Sequence, residues 1–196
     1  AALNIIVKEG IRAVRHRAVA READVPLSAT TYYFKDISDL IADTFTLFAE
    51  RALKDVIEPF KERAFALLSQ FSRESLTNPE ERQRLIDLMG QMTAAFIVDE
   101  LTNRRGHLVA EQAFLQEAIL DSRLRELADL YLHQQLESLM IATELFGSEN
   151  PRLDAELILM AIMSIEQRLL VHPEKISQEF VEARMCNLLE KLLPNG

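Results

Sequence analysis

Along almost its whole length the chain repeats apolar residues three and four positions apart, and only short clusters of helix-breaking residues interrupt that rhythm. Ala2, Leu3, Ile6 and Val7 open the pattern, and Gly10 stops it as a C-terminal cap would. The later separators are Asn78-Pro79, Arg104-Arg105-Gly106, Asp121, Gly147 to Pro151 and His172-Pro173. Between them the spacing predicts helices at about 16–23, 26–33, 36–57, 60–76, 80–101, 105–120, 123–146, 153–171 and 177–193, with Pro59 ending the fourth helix. No segment alternates with the period of two that a half-buried strand needs, and no internal repeat or low-complexity tract occurs. With five Gly and six Pro in 196 residues, the fold class is all-α, of about nine or ten helices.

Two of those helices are unusually short. They lie in His16-Arg-Ala-Val-Ala-Arg-Glu-Ala-Asp-Val-Pro-Leu-Ser-Ala-Thr-Thr-Tyr-Tyr-Phe34, hinged at Asp24-Val25-Pro26. Val19, Ala20 and Ala23 give the first an apolar face. The second crowds Ser28, Thr30, Thr31, Tyr32 and Tyr33 onto a stub too short to build a core. Such a pair presents its second helix outward, the geometry of a helix-turn-helix that reads the major groove of DNA. A plain helical hairpin would leave two adjacent tyrosines and three hydroxyls unexplained.

Charge is divided in the same sense. The net charge is −9, yet residues 1–35 carry Lys8, Arg12, Arg15, Arg17, Arg21 and Lys35 against Glu9, Glu22 and Asp24, a net of +3 that leaves −12 for the remainder. A basic end on an acidic body suits one face near phosphate and another kept away from it. The longest apolar run, Leu157 to Met163, is far below the roughly 18 residues of a membrane helix. No signal-peptide pattern opens the chain, and the single cysteine, Cys186, cannot form an internal disulfide, so the expected compartment is the cytoplasm and no membrane partner is expected. The chain starts inside its first helix without an initiator Met, so an N-terminal arm is expected outside it.

The stretch Val25-Pro-Leu-Ser-Ala-Thr-Thr-Tyr-Tyr-Phe34, with Lys35 and Asp39-Leu-Ile41 after it, resembles the tetracycline-repressor (TetR) family over roughly residues 1–50. The resemblance implies a bacterial transcriptional regulator, most often a repressor, that binds operator DNA as a homodimer and is released by a small molecule. By position it assigns Arg17 to a base edge and His16 to a capping, phosphate-side place. Leu27, Ser28, Thr31 and Tyr32 would face the groove, and Tyr33 and Lys35 would touch phosphate. Thr30 and Phe34 would anchor the second short helix. Two departures stand out: Asp24 occupies a turn position where Gly is usual, and Ile37 one where a phosphate-contacting Lys is common.

The expected organisation is a DNA-binding domain over 1–57, made of a three-helix helix-turn-helix unit plus the long fourth helix. A helical bundle over 58–196 would serve ligand binding and dimerisation. Phe60, Phe65, Phe71, Met89, Met92, Phe96 and Phe114 offer apolar pocket walls, though a plain core explains each of them singly. The resemblance implies a cavity and favours Met89, Met92, Phe96 and Phe114, with Gln91, Thr93, Gln112 and Gln116 orienting a mostly apolar effector. Leu153, Leu157, Ile158, Ala161, Ile162 and Ile165 form an unusually apolar helix, and Phe180, Leu188, Leu189 and Leu192 a stripe on the next. Two such helices per subunit would make a four-helix dimer interface. No Gly-rich phosphate loop, nucleophile elbow, zinc-type cysteine pair or di-iron motif occurs, so neither an enzyme, a metal nor a cofactor is expected. The competing reading is a helical protein-interaction module without DNA binding.

Overall fold

The computed structural model describes residues 1–192, and among these every regular element is helical. In chain order the helices are α1 (Ala2–Glu9), α2 (His16–Glu22), α3 (Leu27–Tyr33), α4 (Ile37–Ala52), α5 (Glu58–Leu68), α6 (Pro79–Thr102), α7 (Arg105–Ala118), α8 (Ser122–Leu145), α9 (Pro151–Val171) and α10 (Gln178–Leu192). Leu193, the last residue of the expected final helix, lies outside the described residues.

Local chemistry accounts for most boundaries. Gly10 ends α1 at φ 85°, where a side chain would be strained, and its N–H donates to the Ile6 carbonyl. Asp36 caps α4 by accepting from the Asp39 N–H at 2.8 Å. Asn78 does the same for α6, whose first turn holds Pro79, Glu80 and Glu81, all suited to a helix start.

Two expectations are corrected. Pro59 does not interrupt the helical backbone. Its missing N–H and its ring are accommodated by a π-helical segment, Leu53–Ile57, and α5 begins directly after it with Pro59 in its first turn. The expected helix 60–76 stops at Leu68, because Ser72 and Ser75 each accept the other's backbone N–H at 3.0 Å and so compete with helical bonding.

The helices group into two compact units. The first is Ala1–Asp55 together with Gly106–Leu132, and the second is Val56–Arg105 with the described residues from His133 onward. Gly106–Leu132, expected in the C-terminal bundle, clusters with the N-terminal helices for a reason of packing. Phe45 on α4 is fully buried and stacks on Phe114 of α7 at 4.6 Å between centroids, and Phe48 and Tyr131 close round them. Tyr131 donates to the buried Glu111 carboxylate at 2.6 Å, so the polar atoms inside this aromatic core are used. In the second unit Leu85, Ile86, Ile97 and Leu101 of α6 are buried along with Val181, Met185 and Leu189 of α10.

Candidate functional site

Helices α2 and α3 form the helix-turn-helix in the first unit. Val19 and Ala20 bury the inner face of α2. The turn needs one left-handed residue and finds it in Asp24, at φ 53°. Asp reaches that region more readily than most residues, at a cost of about 1 kcal/mol. The Val25 N–H then donates back to the Ala20 carbonyl at 3.0 Å, and Pro26 starts α3 from an extended conformation.

Within α3, Thr30 is 6% exposed and its hydroxyl donates to the Leu27 carbonyl at 2.9 Å. That anchor fixes which face points out. Leu27, Ser28, Thr31, Tyr32 and Tyr33 are all exposed, the two rings at 82% and 76%, packed edge to face at 5.2 Å. Aromatic rings so open to water on a seven-residue helix do nothing for the monomer's core. Arg17, Arg21 and Lys35 are exposed around them and form no ion pair among the described residues. His16 departs from expectation in one respect. Arg15 holds the cap position of α2 and no side chain caps it, while half-buried His16 leaves its Nδ1 without a hydrogen-bond partner.

The second unit contains a cavity of about 110 Å³. Its wall is mainly apolar, with the rings of Phe60, Phe65, Phe96 and Phe146, the thioethers of Met89 and Met185, and aliphatic side chains from α8, α9 and α10. Phe60 and Phe96 pack at 4.4 Å between centroids. Polar members are Lys61, Thr93, Gln135, Ser138 and Thr143. Three of these are already engaged, Ser138 among them through a hydroxyl that donates to the Gln134 carbonyl at 3.4 Å. Lys61 pairs with Glu58 at 2.6 Å, and the Thr143 hydroxyl lies 2.8 Å from the Pro151 carbonyl. Gln135 is not engaged through its amide nitrogen: Nε2 is buried and has no partner. A more open groove of about 510 Å³ runs past Phe71, Leu76 and Ile141 in the same unit.

Of the residues singled out from sequence for a ligand, Met89, Thr93 and Phe96 line this cavity, as do Phe60 and Phe65. Gln91 is exposed, and Met92 does not reach the wall. Phe114 belongs to the aromatic core of the first unit, with Gln112 half-buried and Gln116 exposed on the same helix, so α7 contributes nothing to the cavity. Gln135, Ser138, Phe146 and Met185 were missed. The signal was present in α8, where Gln135 sits on the stripe that continues through Leu139, Ala142 and Phe146.

The expected dimer residues divide. Ile158, Ile162 and Leu189 face the cavity. Ala161, Ile165, Leu188 and Leu192 are half-buried, and Leu157 is exposed. The outward apolar face of α9 combines the expected Leu153 and Leu157 with Met160, at 58%, 44% and 56% exposure. Among the described residues no group of three or more His, Cys, Asp or Glu side chains is placed to hold a metal, and no helix is long and apolar enough to cross a membrane.

No protein-family model and no curated protein matches the chain. Solved structures do. A member of the TetR family from Streptomyces coelicolor A3 superimposes with a TM-score of 0.63 at 23% identity, covering 98% of this chain and 94% of that one. The multidrug binding protein EbrR complexed with malachite green gives 0.64 at 24% identity, with coverages of 99% and 94%. A putative transcriptional regulator from Saccharomonospora viridis in complex with choline gives 0.65 at 15%, with coverages of 96% and 91%. The chain is an all-α protein with a helix-turn-helix near its N-terminus. Its fold is that of the TetR-family transcriptional regulators.

Proposed function

We propose that this chain is a cytoplasmic, non-enzymatic transcriptional regulator that binds operator DNA as a homodimer, represses, and is released by a small, mostly apolar effector. In domain terms, residues 1–57 carry the DNA-binding role and 58–196 the effector and dimer roles. The observation that carries the reading is the outward face of α3, where Tyr32 and Tyr33 stand in water, with Arg17 and Lys35 likewise exposed and in no ion pair among the described residues. Hydroxyls, arginine and lysine are the groups that hold phosphate, and the exposed start of a short second helix is what enters a major groove. Leu153, Leu157 and Met160 support dimerisation by offering an apolar face with no cover in the monomer. A two-fold dimer would read half-sites about 34–36 Å apart. Solved structures of the same fold that hold small molecules, such as EbrR with malachite green, support an effector in the cavity. Release then requires that the effector bind one conformation better than the other.

The test selects duplexes from a random pool and measures affinity by fluorescence anisotropy across salt. Counterion release makes DNA binding fall steeply as salt rises. Tyr33→Ala is expected to weaken selected and scrambled duplexes alike, while Arg17→Ala also narrows the gap between them, by about 1–3 kcal/mol if it contacts a base edge. Unchanged DNA affinity in both variants would sink the assignment, and salt-insensitive capture of a protein in place of DNA would favour the interaction-module reading.

A further inference from the structure

The cavity wall specifies more than apolar character. No Asp or Glu lines it, so an organic cation entering would find no counter-charge. Its one cationic side chain, Lys61, already pairs with Glu58, so an anion would have to compete with that carboxylate for it. What the wall does offer is a donor. Gln135 lines the cavity, and its Nε2 is buried without a hydrogen-bond partner. A buried donor left unmade is costly, and a ligand oxygen that accepts from it removes the cost.

Size and shape narrow the class. The volume of about 110 Å³ is somewhat below that of the roughly 150 Å³ dry cavities that admit benzene. One aromatic ring is the natural scale, with Met89 and Met185 flexible enough to yield to a small substituent. The four phenylalanine rings suit a ring guest. We infer that the cavity takes a compact, uncharged aromatic carbonyl compound (a ketone, aldehyde, ester or amide) whose oxygen accepts a hydrogen bond from Gln135, and that it disfavours organic cations and carboxylates. This deepens the proposed effector-responsive reading and rests on it for its regulatory meaning.

Acetophenone and α-methylstyrene test it on the full chain, because they share a shape and differ in the acceptor oxygen. Calorimetric titration should show the ketone binding about tenfold more tightly to the wild type, as one satisfied hydrogen bond predicts. Gln135→Leu should bring the two within about twofold of each other. Benzoate and ethidium should bind at least about tenfold more weakly than the ketone. Equal affinities for ketone and hydrocarbon in the wild type overturn the inference, a comparison that needs no variant to fold. So does tight ethidium or benzoate binding, or no binding of either neutral probe. Operator affinity separates the two levels. If acetophenone binds as expected and DNA affinity does not change, the cavity chemistry stands and the regulatory reading fails. If ethidium releases DNA and acetophenone does not, the regulatory reading stands and this inference falls.

Discussion

Gly90 offers a perturbation whose sign can be worked out from the packing. It lies in the middle of α6, buried, where glycine costs about 1 kcal/mol relative to alanine. A methyl group built there would overlap Cys186 Sγ on α10, while the Cys186 backbone N and Cβ would be at 3.4 and 3.6 Å, close to ordinary contact. The clash is therefore with one atom. That sulfur swings on a single torsion, and one of its three staggered positions is disfavoured in a helix. Overpacking of this kind costs about 1–3 kcal/mol, against a gain in helix propensity of about 1 kcal/mol. Gly90→Ala should thus lose about 1 kcal/mol, a fall in Tm of roughly 2–4 °C for a chain of this length.

Removing the sulfur reverses the sign. In a Cys186→Ala background the same substitution should gain about 1 kcal/mol and raise Tm by roughly 2–4 °C. The double-mutant cycle then reads a coupling of about 2 kcal/mol, within the range for residues in contact. A Gly90→Ala variant that is stabilised in the wild-type background would refute the claim that glycine is there for close approach. The spacing matters beyond stability, because the neighbours Met89 and Met185 both form part of the cavity wall.

Burial raises the Cys186 thiol above its ordinary value, and the carboxylates of Asp87, Glu182 and Glu190 push it further in the same direction. A group raised on folding lends stability that is complete below its unfolded value, about 8.5 for a thiol, and is lost as pH climbs through the folded value. Thermal melts of wild type and Cys186→Ala from neutral to strongly alkaline pH should therefore converge only above about pH 8.5, after allowing for the packing lost with the sulfur; parallel curves throughout would contradict it. Leu157→Lys places a charge on the outward face of α9 and should shift a dimer towards monomer in sedimentation equilibrium with helical circular dichroism intact. An unchanged mass would locate the interface elsewhere.

The helices were legible from sequence because their determinants are local. Period, caps and breakers sit within a few residues of each boundary, as at Gly10, Asp36 and Asn78. The turn at Asp24 was legible for the same reason, since the backbone there needs a residue tolerant of positive φ. Pro59 was misread because a π segment can absorb a proline that a regular helix cannot. Which helix faces the cavity was not legible, because that is a property of packing between distant segments. Phe114 and Met89 look alike in sequence, each an apolar residue on an amphipathic helix, yet one is locked against Phe45 and the other lines the cavity. Ile158 and Leu157 are adjacent in an apolar run, and only the assembled unit turns the first inward and leaves the second in water.

Three departures from local rules fall at the two proposed sites. Asp24 holds a left-handed conformation in the turn that presents α3. His16, at the start of α2 in the same motif, has a buried ring nitrogen without a partner. Gln135 has a buried amide nitrogen without one in the cavity wall. Each is a local cost of roughly 1–3 kcal/mol that packing elsewhere offsets. A residue selected for stability alone would have removed it: an apolar side chain at 135 would satisfy the wall without an orphaned donor. An unmet donor lowers the stability of the empty state and leaves the filled state unaffected, so it adds directly to the preference for a ligand that satisfies it. The amide at 135 is for that reason a stronger indication of what the cavity holds than the apolar surface around it, which any core would show.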